Sequence, residues 1–189
     1  MSRMIRALLW MALAAVTMAG CSRYTLIEPK ARTIADVYTV EPQIAWSGIS
    51  DGKWEVWTVD GPALEAIQFL KGLPDGEPLF RGTPEQKRVT FRKTMSPSEI
   101  SEFVIDGYSS LGVQKATVSN LRPAKFGDKD GFRFEFQFVT RNGLEKRAMV
   151  AGAVLKERLF LILYSGTALH YYTKQQTEAE KIIESIRMK

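Results

Sequence analysis

Side chains that could act as nucleophiles, general bases or metal ligands are few in this sequence, and they do not come in sets. His170 is the only histidine and Cys21 the only cysteine. A Ser-His-Asp relay would therefore rest on His170 alone, and that residue, at the start of the predicted last helix, reads as a surface or helix-capping residue. Asp128-Lys129-Asp130-Gly131 has the form of the first half of a calcium loop. A complete loop needs a further acid two positions on and a glutamate at the twelfth, where this chain has Phe132 and Val139. The four residues read instead as a turn. Glu99, Glu102 and Asp106 lie on a predicted helix; the first two suit its cap and positive end, and the third a solvated face. A carboxylate pair for acid–base work would have to be assembled in space by the fold. No phosphate-binding glycine loop, P-loop or GxSxG element occurs, and no metal or cofactor is expected.

Binding chemistry is better represented. Trp46, Trp54 and Trp57 fall close together. Trp54 and Trp57 are an odd step apart, so on a strand they face opposite sides. At least one is expected at the surface, where an aromatic side chain can anchor a glycan, a protein partner or a lipid interface. Lys87, Arg88, Arg92 and Lys93 form a short basic stretch, "KRVTFRK", suited to anionic headgroups or phosphorylated glycans. The same run would suit a solvated edge strand whose lysines discourage aggregation. These seven residues are the candidate ligand- or partner-binding set. Phe132, Phe134, Phe136 and Phe138 alternate with Arg133, Glu135 and Gln137. Such a ladder can stack bases, but it also describes a half-buried strand under helices, and the amphipathic helices on either side favour the core reading.

The N-terminus is of a different kind. Arg3 and Arg6 are followed by the apolar stretch "ALLWMALAAV", and small residues lead to Cys21, the layout of an export signal. From Ala7 to Cys21 the segment is shorter than the ~20 residues a spanning helix needs. Met18-Ala19-Gly20-Cys21 resembles the lipobox of bacterial lipoproteins, in which an apolar residue and two small ones precede a lipidated cysteine; Met18 stands where leucine is usual. The resemblance implies acylation of Cys21 and cleavage before it. Residues 1–20 are then the signal peptide, the membrane is the partner of the anchor, and no thiol is left for redox or metal chemistry. Two or three acyl chains anchor stably where one holds marginally. Ser22, rather than aspartate, follows the cysteine, which by resemblance to the enteric sorting rule favours the outer membrane, facing the periplasm. Removing residues 1–20 takes away two arginines and no acid, lowering the formal charge from +5 to +3. In an envelope location that balance gives no reason to expect a nucleic-acid partner.

The elements that must position these residues follow from patterning. Residues 21–36 carry mixed charge, one proline and no sustained periodicity, and are expected to be the lipidated end and an extended tether. Residues 37–189 are expected to form one α+β domain, large enough to bury a core without disulfides. Strands are predicted at 37–40, 44–47 and 54–59, with Asp51-Gly52 as a hairpin turn. "ALEAIQFLKG" fits a short helix or a strand. Gly72, Pro74, Gly76, Pro78, Gly82 and Pro84 mark a long loop, a length that is uncommon in compact domains and often functional. Ser96-Pro97-Ser98-Glu99 is a capping box with proline at the first helical position. Ile100, Phe103, Val104, Gly107, Tyr108 and Leu111 follow on one helical face, and Gly112 suits a left-handed end. Further strands are predicted at 113–121, 131–140, 144–155 and 159–164, with Asn142-Gly143 closing a two-residue hairpin, and a last helix at 168–187.

The order helix, four strands, helix ending in "IIESIR" resembles the PsbP-like fold over roughly residues 90–187. The resemblance implies an antiparallel sheet of about five to seven strands sandwiched between helices, and a family whose members are mostly accessory or scaffolding proteins. The expected function is a lipid-anchored periplasmic module that binds an envelope protein or polymer. Two other readings stay open. A hydrolase would need two close carboxylates in a deep cleft near residues 72–86. A carrier of small apolar ligands would need a cavity between the phenylalanine face and a helix.

Overall fold

A computed structural model describes residues 24–80 and 88–189. The expected signal peptide, Cys21, Lys87 and part of the Gly/Pro loop lie outside the described residues.

One antiparallel sheet of eight strands carries the fold. Its order is β1(Thr25–Ile27), β4(Trp46–Asp51), β5(Trp54–Thr58), β6(Glu65–Pro74), β10(Arg158–Thr167), β9(Glu145–Leu155), β8(Lys129–Val139) and β7(Gln114–Phe126). A smaller sheet has β3(Tyr38–Val40) between β2(Arg32–Ile34) and β11(Arg187–Met188). Helix α1(Pro97–Ser110) covers one face of the large sheet; helix α2(Tyr171–Glu184) and the small sheet cover the other. The expected sandwich is present, with eight strands in its main sheet rather than five to seven.

The central strands explain both the layering and the ambiguity of their sequences. On β10, Leu159, Leu161 and Leu163 join the core under α1, while Phe160, Ile162 and Tyr164 join the core under α2. A strand buried on both faces shows a continuous apolar run instead of alternation. "ALEAIQFLKG" is the same case: it forms most of β6, with Ile67 and Phe69 on one side and Leu70 and Leu73 on the other. Each such side chain contributes ~1.5–3 kcal/mol on burial. The four phenylalanines of β8 all face α1, where the Tyr108 ring lies 5.2 Å from Phe136 and 5.5 Å from Phe138.

Helix α1 begins as its sequence predicts. Ser96 Oγ accepts from Glu99 N at 3.3 Å, and Glu99 Oε2 accepts from Ser96 N at 2.8 Å. Gly112, just beyond its end, has φ +84°. Helix α2 spans less than the predicted 168–187, because its last turn gives way to β11.

Two expectations need correction. Residues 25–34 are not a tether: β1 pairs with β4, β2 pairs with β3, and Ile27 and Ile34 are buried. Each of these strands has three residues with one buried, too little for a periodic signal. The β8–β9 turn is also longer than a two-residue hairpin. Thr140 N donates to Leu144 O and Gly143 N to Thr140 O, both at 2.9 Å, and only Gly143 of the loop has positive φ, +83°. This is the three-residue form, a tight turn followed by a left-handed glycine.

Strand β7 forms the long free edge. Its outer side is interrupted by two register shifts, left-handed Lys115 and Asn120, and Pro123, features that discourage pairing with another strand. The basic stretch 88–93 is not a strand at all.

Candidate functional site

The loop that leaves β6 returns under α1 and builds a cleft beside that helix. Lys53 Nζ donates to Pro78 O at 2.8 Å, Gly76 N to Phe91 O at 2.8 Å, and Phe91 N to Glu77 O at 2.9 Å. These bonds hold the outgoing and returning segments together and place Leu79 and Phe91 fully in the core. A Cβ on Gly107 would lie 2.8 Å from Leu79 Cδ2, so the missing side chain lets the loop approach the helix. Phe80 then stacks on Trp54 (5.5 Å, 14°) and meets Tyr108 edge-on (5.3 Å, 87°).

The resulting cleft, of about 360 Å³, is lined by Pro78, Phe80, Arg88, Asp106, Gly107 and Ser110, among others. Its chemistry is an aromatic wall, one acid, one base and a hydroxyl. Asp106 is the one carboxylate lining it among the described residues. Tyr108, beneath Phe80, is held well above the usual phenol range by burial, against a hydrogen bond with Gln68 that pulls the other way. It stays a neutral phenol. The indole N–H of half-buried Trp54 is shielded and meets no acceptor among the described residues.

The three tryptophans do not form one surface. Trp54 and Trp57 face opposite sides of β5, as their spacing predicts, but Trp46 and Trp57 are completely buried on the α2 side. They are covered there by the small sheet. Arg32 of β2 lies over the Trp57 ring at 5.9 Å, and its Nε donates to Glu55 Oε1 at 2.8 Å, the oxygen that also accepts from Trp57 Nε1 at 2.8 Å. Trp46 and Trp57 are core residues, not binding anchors; only Trp54 reaches the cleft region.

The basic stretch is divided as well. Arg88 lines the cleft. Arg92 pairs with Glu99 at the start of α1 (3.4 Å), and Lys93 pairs with Glu157 in the β9–β10 turn (2.6 Å). The hydrogen bond to Glu157 raises the Lys93 ammonium above its ordinary range.

Among the described residues, Asp106 has no carboxylate partner in the cleft and no apolar cavity opens under α1; residues 81–86 of the loop that the hydrolase reading needs lie outside them. Asp75 Oδ1 accepts from Lys93 N at 2.8 Å within its own loop and does not line the cleft. The space between the phenylalanine face and α1 is filled by Leu79, Phe91, Ile100, Phe103, Val104 and Tyr108. His170 is exposed at the start of α2, its ring edge-on to Tyr171 at 5.0 Å, with no capping bond from its side chain. Asp128 sits on the β7–β8 turn and Asp130 at the start of β8, paired with Lys129 and Lys125, whose hydrogen bonds hold both carboxyls below their ordinary range.

Two buried charges were not visible in the residue pattern. Glu65 is fully buried and Lys146 nearly so. Desolvation lowers the Lys146 amine, partly opposed by attraction to Glu65. An acid at the first position of an apolar strand has no distinctive sequence signal.

No protein-family model matches the chain, and no curated protein matches it in sequence. Solved structures do match. The chain is similar to a protein from Bacteroides thetaiotaomicron, at 12% identity and TM-score 0.51, over 86% of this chain and 49% of that one, so it spans about half that protein's length. A looser similarity, TM-score 0.38 at 11% identity over 90% of this chain and 87% of the other, is to LpqN, involved in cell envelope biogenesis of Mycobacterium tuberculosis. The chain is also similar to cyanobacterial PsbP (CyanoP) from Synechocystis sp. PCC 6803, at 13% identity and TM-score 0.54, over 91% of this chain and 96% of that one. At such identities the likeness is one of architecture, and that architecture, extending well beyond residues 90–187, is the PsbP-like fold.

Proposed function

We propose that this protein is a lipid-anchored accessory module of the bacterial envelope, tied to the outer membrane through acyl chains on Cys21 and binding an envelope protein or polymer from the periplasmic side. The observation that carries the reading is the signal-like N-terminus ending in Met18-Ala19-Gly20-Cys21, with the folded body starting at Thr25, four residues later. A filled core and a cleft lined by a single carboxylate among the described residues support binding over turnover. Within that reading, the aromatic and charged cleft beside α1 (Phe80, Arg88, Asp106), with Trp54 stacked on Phe80, is the surface for the partner.

The test is Cys21→Ala followed by cell fractionation. The wild-type chain is expected in the membrane fraction, and the variant is expected to leave it and to lose the acyl mass. A variant that stays in the membrane fraction at unchanged mass contradicts the proposal.

A further inference from the structure

Neighbouring strands of the large sheet are antiparallel throughout, so β1, β5, β10 and β8 run one way and the other four run the opposite way. The start of β1 and the β7–β8 turn therefore lie at the same end of the sheet, on opposite edges. Seven inter-strand steps of ~4.8 Å separate those edges, about 34 Å. At the β7 edge of that end, a trough of about 380 Å³ opens between the β7–β8 ribbon and the end of α2 with β11. Arg122, Lys125, Arg133 and Arg187 line it, against one acid, Glu184.

The trough concentrates positive charge at a cost. Arg122 stands directly opposite Arg133 in the strand register, an arrangement that like charges disfavour. Arg133 is answered by Glu180 at 2.9 Å, and Lys125 by Asp130 at 2.6 Å. Arg122 donates instead to Asn120 O at 3.2 Å, and Arg187 to Glu184 O and Ile186 O at 3.3 and 2.9 Å. These bonds occupy only part of the five N–H donors on each guanidinium. Three arginines from β7, β8 and β11 thus converge on one depression. A carboxylate offers two oxygens to such a set, whereas a phosphate offers three strong acceptors and more charge.

Location selects the source of that phosphate. Thr25 is four positions after Cys21, a reach of about 14 Å when fully extended. Exposed Tyr24 and Leu26 lie at the same edge. Resting on the anchor reading above, we propose that the trough takes the phosphate of an anionic phospholipid headgroup in the membrane that holds Cys21. Anchor and trough then give two attachment points on opposite edges of one sheet end, and that end faces the bilayer.

The full chain in nonionic detergent micelles is titrated with dioctanoyl phosphatidylglycerol, dioctanoyl phosphatidylcholine and inorganic phosphate. Saturable binding is expected for phosphatidylglycerol, with the other two weaker. R122Q/R187Q is expected to weaken it about tenfold, each single change is expected to act in the same direction, and K30Q/K71Q, which removes equal charge elsewhere, to leave it unchanged. Equal binding of the two lipids, inorganic phosphate binding as tightly as phosphatidylglycerol, or an unaffected R122Q/R187Q chain overturns the inference. The C21A chain is expected to bind phosphatidylglycerol as the wild type does. Lost lipid binding with an acylated Cys21 therefore refutes the trough alone, and retained binding with an unacylated Cys21 refutes the anchor alone.

Discussion

Glu65 offers a sharp test of how this fold holds its sheet together. Its Oε1 accepts from Thr58 Oγ1 at 2.7 Å, Val59 N at 2.5 Å and Asp60 N at 2.9 Å, so one carboxylate oxygen closes the connection from β5 to β6. In Glu65→Ala the Thr58 hydroxyl keeps the Glu65-position carbonyl, which lies 2.8 Å away in the wild type. The two backbone N–H groups lose their protein acceptor at a part-buried turn. Each donor left without an acceptor costs ~1–3 kcal/mol. Relief from burying a carboxylate whose Oε2 has no partner offsets part of this. The expected net loss is about 2–4 kcal/mol, a large fraction of a typical 5–15 kcal/mol stability. Glu65→Gln keeps an oxygen for the same donors and is expected to cost about 1 kcal/mol. Urea unfolding followed by the fluorescence of buried Trp46 and Trp57 measures both, with the midpoint moving at constant slope. A Glu65→Ala chain within about 0.5 kcal/mol of wild type, or one more stable than Glu65→Gln, refutes the reasoning.

Gly166 lies where a Cβ would come within 2.7 Å of Tyr172 N and Cα, backbone of the first turn of α2; Gly166→Ala is expected to cost about 3 kcal/mol in the same unfolding assay, and a neutral result contradicts this packing. Gly107→Ala meets side-chain atoms instead of backbone, Leu79 Cδ2 at 2.8 Å, Leu79 Cβ at 3.1 Å and Phe80 Cδ2 at 3.4 Å, and is expected to cost less, about 1 kcal/mol; the reverse order contradicts the distinction. Burial holds the Tyr38, Tyr108 and Tyr164 hydroxyls above the phenol range and pushes Tyr172 up to about 12. The unfolded chain therefore releases these protons first. Stability from the four is intact below their ordinary value of 10.0 and falls above it, by ~1.4 kcal/mol per pH unit for each tyrosine. Lys146 acts in the opposite sense: its lowered amine makes stability rise with pH up to its ordinary 10.5, one group against four. Unfolding free energies measured from pH 8 to 11 check the net fall, and a flat profile to the upper limit contradicts it.

What the sequence revealed, and what it hid, follows from how local each signal is. Helix α1 was legible because its capping box is made and read within four residues, Ser96 to Glu99. The core role of Phe132, Phe134, Phe136 and Phe138 was legible because β8 has one buried face and alternates. Strand β6 was ambiguous because both its faces are buried, which removes the alternation that separates strand from helix. Strands β1 and β2 escaped because one buried isoleucine in three residues has no period. The burial of Trp46 and Trp57 has no local signal for a related reason: their cover, the small sheet, is completed by β11 from residues 187–188. The basic trough was invisible because Arg122, Arg133 and Arg187 are scattered in sequence and meet only through sheet order. The local run at 87–93 was conspicuous, yet the fold sends Arg88, Arg92 and Lys93 to three different places.

Shortening the tether also changes what the anchor would do. With Cys21 acylated as proposed, a body that starts at Thr25 would sit against the membrane instead of standing clear of it, and its orientation would matter to that proposal. The intact mass of the chain purified from the membrane fraction is the most direct measurement. A mature chain beginning at Cys21 and carrying acyl mass on that residue is the result expected. A chain that retains residues 1–20, or one whose Cys21 thiol is free to react with an alkylating reagent, contradicts lipid anchoring.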